Sequence, residues 1–391
     1  MLLEIDKIEG LTYLIIMIIR AFEPLYPQMV PGKVLVLFGA RQVGKTTLIK
    51  NMLSSLDCRW RLESGDNILV HEALSEQSFP RLLSFVEGLD LLAIDEAQRI
   101  PGIGRVLKIW TDQVPQLRII VTGSSSFDLA GQIGEPLTGR KRTLSMYPVS
   151  MLELSRESSA YELSTRLEEF LVYGTYPAVL TATTGVEKRE ILEELVGSYL
   201  LKDVLELERV RASKTLLDLL RLLAYQIGSE VSANELAQKL SIDGKTVARY
   251  LDLLEKSFVL FSLRGYSGNL RKEITRKRKY YFLDLGIRNA LIANFNSPDK
   301  RDDKGALWEN FLIIERLKTR SYRSIYANPY FWRTWDQKEI DLIEERDGTL
   351  HTYEFKWKPQ TGIAPRDFTE AYPGSPFTVV HRDNWQDFLL V

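Results

Sequence analysis

Eight residues, Gly39-Ala-Arg-Gln-Val-Gly-Lys-Thr46, space two glycines, a lysine and a hydroxyl as G-x-x-x-x-G-K-[ST]. Glycines so placed let backbone N–H groups turn inward around phosphate oxygens, and a helix opening directly after them adds its positive dipole end. Lys45 then reaches the outer phosphates of ATP, and the Thr46 hydroxyl ligates Mg2+. The expected nucleotide contacts are Gly39, Ala40, Arg41, Gln42, Val43, Gly44, Lys45, Thr46 and Thr47. Asp95 and Glu96 follow 49 residues after Thr46, behind an apolar run. A carboxylate ending a buried strand beside the first is suited to the Mg2+ shell, and Glu96 next to it could orient and activate the attacking water. ATP hydrolysis is the chemistry these residues imply, with ATP and Mg2+ as cofactors.

Two further features extend this set. A hydroxyl in Thr122-Gly-Ser-Ser-Ser126, at the end of a third apolar run, would lie between the two nucleotide motifs and could sense the terminal phosphate; Ser124 and Ser125 are the candidates. Arg140, in Gly139-Arg-Lys-Arg142, is the candidate arginine supplied to a neighbouring subunit.

Basic side chains cluster later. Ala233 to Leu240 and Lys245 to Ser257 carry apolar residues at helical spacing around the turn Ser241-Ile-Asp-Gly244, and a strand pattern follows. Helix, turn, helix and a hairpin is the winged-helix order. Lys245 and Arg249 fall on the polar side of the second helix. Arg271, Lys272, Arg276, Lys277, Arg278 and Lys279 crowd the hairpin against one acid, Glu273. Such a surface would hold a DNA backbone without sequence choice.

Near the C-terminus, Asp347-Gly348 signals a two-residue hairpin. Pairing Arg346 with Thr349 sets Asp341 opposite Glu354, with Lys356 on the same face. Two carboxylates about 5 Å apart repel, and a divalent cation would turn repulsion into binding. The pattern Asp, then Glu-x-Lys, resembles that of PD-(D/E)XK nucleases, with Glu309 matching the additional acidic residue on the preceding helix. The resemblance implies that Asp341, Glu354 and Glu309 serve a metal ion and that Lys356 positions or activates water.

These residues need elements to position them. Residues 33–38, 89–95 and 117–122 read as buried parallel strands, with a helix at 46–56. Residues 160–257 read as mostly helical, 258–284 as strands around a turn, 305–318 as a helix, and 322–335, 338–345 and 350–358 as strands. Residues 7–27 read as an amphipathic or buried helix: Leu11 to Ile19 is nine residues, against the roughly twenty a membrane span needs. Domain boundaries are expected at 1–150 (ATPase), 151–230 (helical lid), 231–285 (winged helix) and 286–391 (nuclease-like).

Composition narrows the classes. The 391 residues are 45% hydrophobic, enough for two or three cores. With 51 basic and 52 acidic residues the net charge is -1, so any nucleic-acid surface is a local patch. One cysteine, Cys58, excludes an internal disulfide framework and suits a reducing, cytoplasmic setting. Three histidines (His71, His351, His381) and one cysteine cannot make an ordinary structural zinc site.

Taken together, the chain resembles archaeal and bacterial AAA-type P-loop ATPases with a winged helix and a C-terminal nuclease-like domain of unassigned function. The resemblance rests on Gly39 to Thr47, Ile94-Asp-Glu-Ala-Gln98, Thr122 to Ser126, Leu137-Thr-Gly-Arg140, Gly174-Thr-Tyr-Pro177, Tyr199 to Val204, Trp332-Arg-Thr334, Glu339-Ile-Asp341 and Glu354-Phe-Lys356. Thr175 stands where a second glycine is expected. The fold class implied is α/β: an AAA-type core, a helical and winged-helix middle and a restriction-nuclease-like α/β end. Homo-oligomers, rings included, are implied, with Arg140 acting in trans. The leading expectation is a cytoplasmic, DNA-dependent ATPase that remodels DNA, branched or recombining DNA among its targets, with no membrane partner. The alternatives are an ATP-regulated, Mg2+-dependent endonuclease in defence or repair, and a nucleotide-dependent signalling or assembly switch acting on protein.

Overall fold

The computed structural model describes residues 4–8, 11–15, 18–75, 78–124, 137–200, 213–267, 278–334 and 336–390. Five strands, β3 (Val34–Phe38), β4 (Trp60–Ser64), β5 (Leu91–Asp95), β6 (Arg118–Gly123) and β7 (Lys141–Ser145), form one sheet in the order β4-β5-β6-β3-β7. All neighbours are parallel. β3 is buried throughout, and its alternating side chains feed two cores: Val34, Val36 and Phe38 enter one, Leu35 and Leu37 the other. Burial on both faces is why β3, β5 and β6 read as unbroken apolar runs. β4 and β7 escaped that reading because they are edge strands with polar residues along them.

One expected neighbour relation is corrected. β5 does not lie beside β3; β6 pairs with both and separates them. The chain start is corrected too. Instead of a helix over 7–27, β1 (Glu4–Ile8) and β2 (Leu11–Ile15) pair antiparallel, and a single turn of 3-10 helix follows at Tyr26–Gln28. Ile5, Ile8, Thr12 and Ile15 are β-branched and Gly10 sits between the strands, so local preference favours the hairpin.

Helices dominate residues 151–200 and 213–225. The helices Ala233–Leu240 and Gly244–Lys256 then flank a short turn, where Ser241 takes a left-handed conformation and Asp243 caps the second helix by accepting from Thr246 N at 2.9 Å. β8 (Glu230–Val231), β9 (Leu260–Gly265) and β10 (Arg278–Phe282) are antiparallel. This hairpin does not stand apart. β11 (Asn328–Arg333) pairs parallel with β9 through Tyr330↔Arg264 and Phe331↔Gly265. With β12 (Glu339–Arg346), β13 (Thr349–Phe355) and β14 (Phe377–Val380) the seven strands form one sheet, β14-β13-β12-β11-β9-β10-β8.

The β12–β13 register is the expected one: Arg346 faces Thr349 and Leu342 faces Tyr353. Asp347 and Gly348 both have positive φ, as a two-residue hairpin of matching twist requires.

A helix of 20 residues, Lys304–Arg323, joins the two sheets. It spans about 30 Å. Glu315 Oε2 accepts from Met151 N at 2.6 Å, Lys318 Nζ donates to Val149 O at 3.3 Å, and Tyr147 N donates to the Tyr322 hydroxyl at 3.1 Å. On its other side, Arg316 grips buried Glu344 with two bonds of 3.0 and 2.9 Å. Among the described residues no helix is long and apolar enough to cross a membrane.

Candidate functional site

The nucleotide motifs meet at the C-terminal ends of β3, β5 and β6. Gly39 follows β3, and a Cβ there would come within 2.2 Å of Met146 O, so the loop can pass only as glycine. Gly44 has φ 97° at the helix start and Gln42 is also left-handed. Lys45, on the first turn of helix Lys45–Ser54, is buried and donates to Gly39 O and Ala40 O at 2.7 and 2.8 Å, bridging the loop it springs from.

Thr46 Oγ1 donates to Asp95 Oδ2 at 2.7 Å. The other Asp95 oxygen accepts from the Thr122 hydroxyl, which itself accepts from Glu96 N at 2.9 Å. The interposed strand β6 is what brings Thr122 into line with both motifs. Glu96 turns left-handed and rests on Gly65, where a Cβ would lie 2.1 Å from Glu96 O. Gln98 Nε2 donates to Glu96 Oε2 at 2.6 Å and to Ser124 Oγ at 3.0 Å. A hydroxyl and a carboxylate side by side suit a hard cation with oxygen ligands, so Thr46 and Asp95 fit Mg2+.

Sequence reasoning missed Arg20. Its guanidinium donates to Val43 O inside the loop, to Tyr147 O at 2.7 Å and to Glu153 Oε1 at 2.8 Å. Burial opposes its charge, but Glu153 and Tyr322 outweigh burial and its pKa is raised. No motif marks Arg20; it lies in the segment read as a helix. Thr122 was overlooked in favour of Ser124 and Ser125. Ser124 is buried against Gln98, and Ser125 lies outside the described residues.

Arg140 is far from this constellation. Its carbonyl accepts from Val34 N, at the start of β3, so it stands at the opposite end of the sheet from its own loop. Five residues of strand make that roughly 16 Å. On this exposed surface it pairs with Asp112 at 2.7 Å.

Lys245 and Arg249 are exposed on helix Gly244–Lys256, four residues apart and hence on one face. Arg271, Lys272, Arg276 and Lys277 lie outside the described residues. Arg278 is tied to Glu255 at 3.5 Å. Lys279, expected on a phosphate-facing surface, is corrected: it is buried, donates to Glu309 Oε1 at 3.0 Å and pairs with Glu339. Burial opposes its charge, but Glu309, Glu339 and Asp341 outweigh burial and raise its pKa.

The expected metal set is corrected with it. Asp341 does share a neighbourhood with Glu354 and Glu309: burial first, then those two carboxylates, pushes its pKa well up. Yet among the described residues no three His, Cys, Asp or Glu side chains are set to hold a metal ion. Glu309 accepts from Lys279 and, at 2.6 Å, from the Tyr281 hydroxyl; Asp341 Oδ2 accepts from Phe355 N at 2.7 Å; and Glu354 is bound by Lys356 at 2.6 Å. Protein donors already occupy one oxygen of each of these carboxylates.

Comparison with known proteins bears on most of the chain. An AAA domain model matches residues 31–155, and two domains of unknown function match 164–298 (DUF8612) and 304–385 (DUF4143). An uncharacterized protein of Mycobacterium tuberculosis is 30% identical over 328 residues, 83% of this chain and 70% of that protein. An uncharacterized protein of Methanocaldococcus jannaschii is 24% identical over 335 residues, 81% of this chain and 73% of that one. A solved Walker-type ATPase of Pyrococcus abyssi covers 69% of this chain and 93% of its own at 17% identity and TM-score 0.48. With its phosphate loop on a parallel α/β sheet and the mycobacterial match along most of its length, the chain belongs to the family of AAA-domain proteins that includes that Mycobacterium tuberculosis relative.

Proposed function

We propose that the chain hydrolyses ATP and couples hydrolysis to DNA held by its middle region. The observation that carries the reading is the hydrogen-bonded set Thr46–Asp95–Thr122–Glu96 directly behind the phosphate loop. In that reading the loop amides and Lys45 hold the β and γ phosphates, and Thr46 and Asp95 hold Mg2+, which when bound neutralises phosphate charge. Glu96 orients a water and accepts its proton as the water oxygen bonds to the γ phosphorus. The bond from γ phosphorus to the bridging oxygen breaks, and ADP leaves with that oxygen. Gln98 holds Glu96 and Ser124 together, so a phosphate touching Ser124 would be felt at the base. Arg140 serves a neighbouring subunit, because its own loop is out of reach.

Support for DNA is the helix–turn–helix order, the exposed pair Lys245 and Arg249, and the basic run 271–278, from which Lys279 is withdrawn. Phosphate contacts of this kind give affinity without base choice. The test is the ATPase rate with no DNA, with linear duplex and with a four-way junction, Lys45→Ala serving as the blank. DNA stimulation that fades with added salt is the expected result. A second reading, a nucleotide-dependent switch acting on protein, is favoured by one observation: β9 and β10 are sewn into the C-terminal sheet rather than projecting. Turnover indifferent to every DNA would transfer the conclusion to that reading.

A further inference from the structure

Four carboxylates converge where β10, the long helix, β12 and β13 meet: Glu309, Glu339, Asp341 and Glu354. Four charges of one sign at such spacing need cations or protons. The chain supplies three cations of its own. Lys279 Nζ lies 3.0 Å from Glu309 and pairs with Glu339, its side chain only 3% exposed. Arg333 approaches Glu339 at 3.8 Å and Lys356 holds Glu354 at 2.6 Å. One negative charge is left over, on Asp341, whose lone described side-chain bond comes from a backbone N–H.

We propose that the Lys279 ammonium is the resident cation of this cluster, standing in for the divalent ion that the nuclease resemblance calls for, so that the C-terminal site takes no metal. The geometry gives two reasons. The ammonium is tethered to β10, which is fixed on both sides by β9 and β8, so it cannot diffuse away as a free ion can. A divalent ion reaching Glu309 and Asp341 would stand against Lys279 with like charge in a partly buried site, the Glu309 side chain 17% exposed, where screening is weaker than in bulk water. Period-two geometry explains how the sequence achieves this: Lys279 and Tyr281 share one face of β10, and both donate to the same Glu309 oxygen.

The test uses Mn2+ as probe, its free concentration read by electron paramagnetic resonance against full-length, nucleotide-free protein. Every sample carries Asp95→Asn to silence the phosphate-loop cation site. On that background, Asp341→Asn should leave Mn2+ binding unchanged. Lys279→Met, which leaves four carboxylates to two cations, should gain a site at least about tenfold tighter than the background, lost again with Glu309→Gln. A Mn2+ site present on the background and removed by Asp341→Asn overturns the proposal. So does a folded Lys279→Met protein that gains nothing. Should Lys279→Met fail to melt cooperatively, the Asp341→Asn comparison decides alone: equal binding upholds the proposal and weaker binding defeats it.

Discussion

Asp95 and Glu96 are adjacent, yet their partners separate their tasks. Asp95 is held by two threonine hydroxyls, Thr46 and Thr122, whereas Glu96 meets the side-chain amide of Gln98. Glu96→Gln should therefore lower turnover by about 10²–10⁴-fold while ATP is still bound, measured as steady-state rate beside nucleotide titration. Arg20 makes a different claim. Removing it leaves Glu153 buried without its cation, which costs about 3–5 kcal/mol. Arg20→Met should thus melt early, and adding Glu153→Met should restore much of the stability. ATP affinity should stay low in the double variant, because Val43 O has lost its tether. Lys45, Thr46, Asp95 and Glu96 were legible because short fixed spacings carry their chemistry. Lys279 was misread because a charge run does not reveal which member turns inward, although alternation along β10 held the answer.

At the scale of elements, the start of the long helix is locked by charge. Asp303 accepts from Arg301 at 2.8 and 2.9 Å and pairs with Arg288 at 2.6 Å. Burial raises its pKa, but the two guanidiniums outweigh burial and bring it from 3.8 to about 2. A depressed carboxyl contributes stability above the unfolded pKa and loses it as pH falls through the folded one. The window is therefore pH 3.8 down to about 2. The shift would give about 2 kcal/mol for a dry group, and with the side chain 27% exposed about 1 kcal/mol is expected. Asp303→Asn should flatten the melting midpoint across that window while wild type falls. Element existence was readable wherever apolar runs met punctuation, as at Pro31-Gly32 before β3 or Asp347-Gly348 before β13. The β1–β2 hairpin and edge strands β4 and β7 were not. The first has helix-like length but β-branched residues, and the others lack a buried pair of faces.

At the scale of the molecule, the long helix touches the carboxylate cluster at Glu309 and the nucleotide half at Tyr322, which stacks edge-on to Phe22 at 5.1 Å beside Arg20. One apolar core runs with it, from Leu35 and Leu37 under the parallel sheet through Tyr147 and Met151 to Ile314 and Trp385. In this architecture the seven-stranded sheet joins β9 and β10 to β11, pairings that no local sequence pattern announces. Lys245→Ala with Arg249→Ala should weaken DNA binding and reduce its salt slope by about 2, read by fluorescence anisotropy at several ionic strengths. The shared helix also decides how the chain can be divided. A fragment ending near residue 155 keeps every nucleotide motif but strips Glu315, Lys318 and Tyr322 from Met151, Val149 and Tyr147, leaving an apolar wound where a covered face had been. Expressed alone, such a fragment should aggregate, and dissection should succeed only where both halves keep the helix between them.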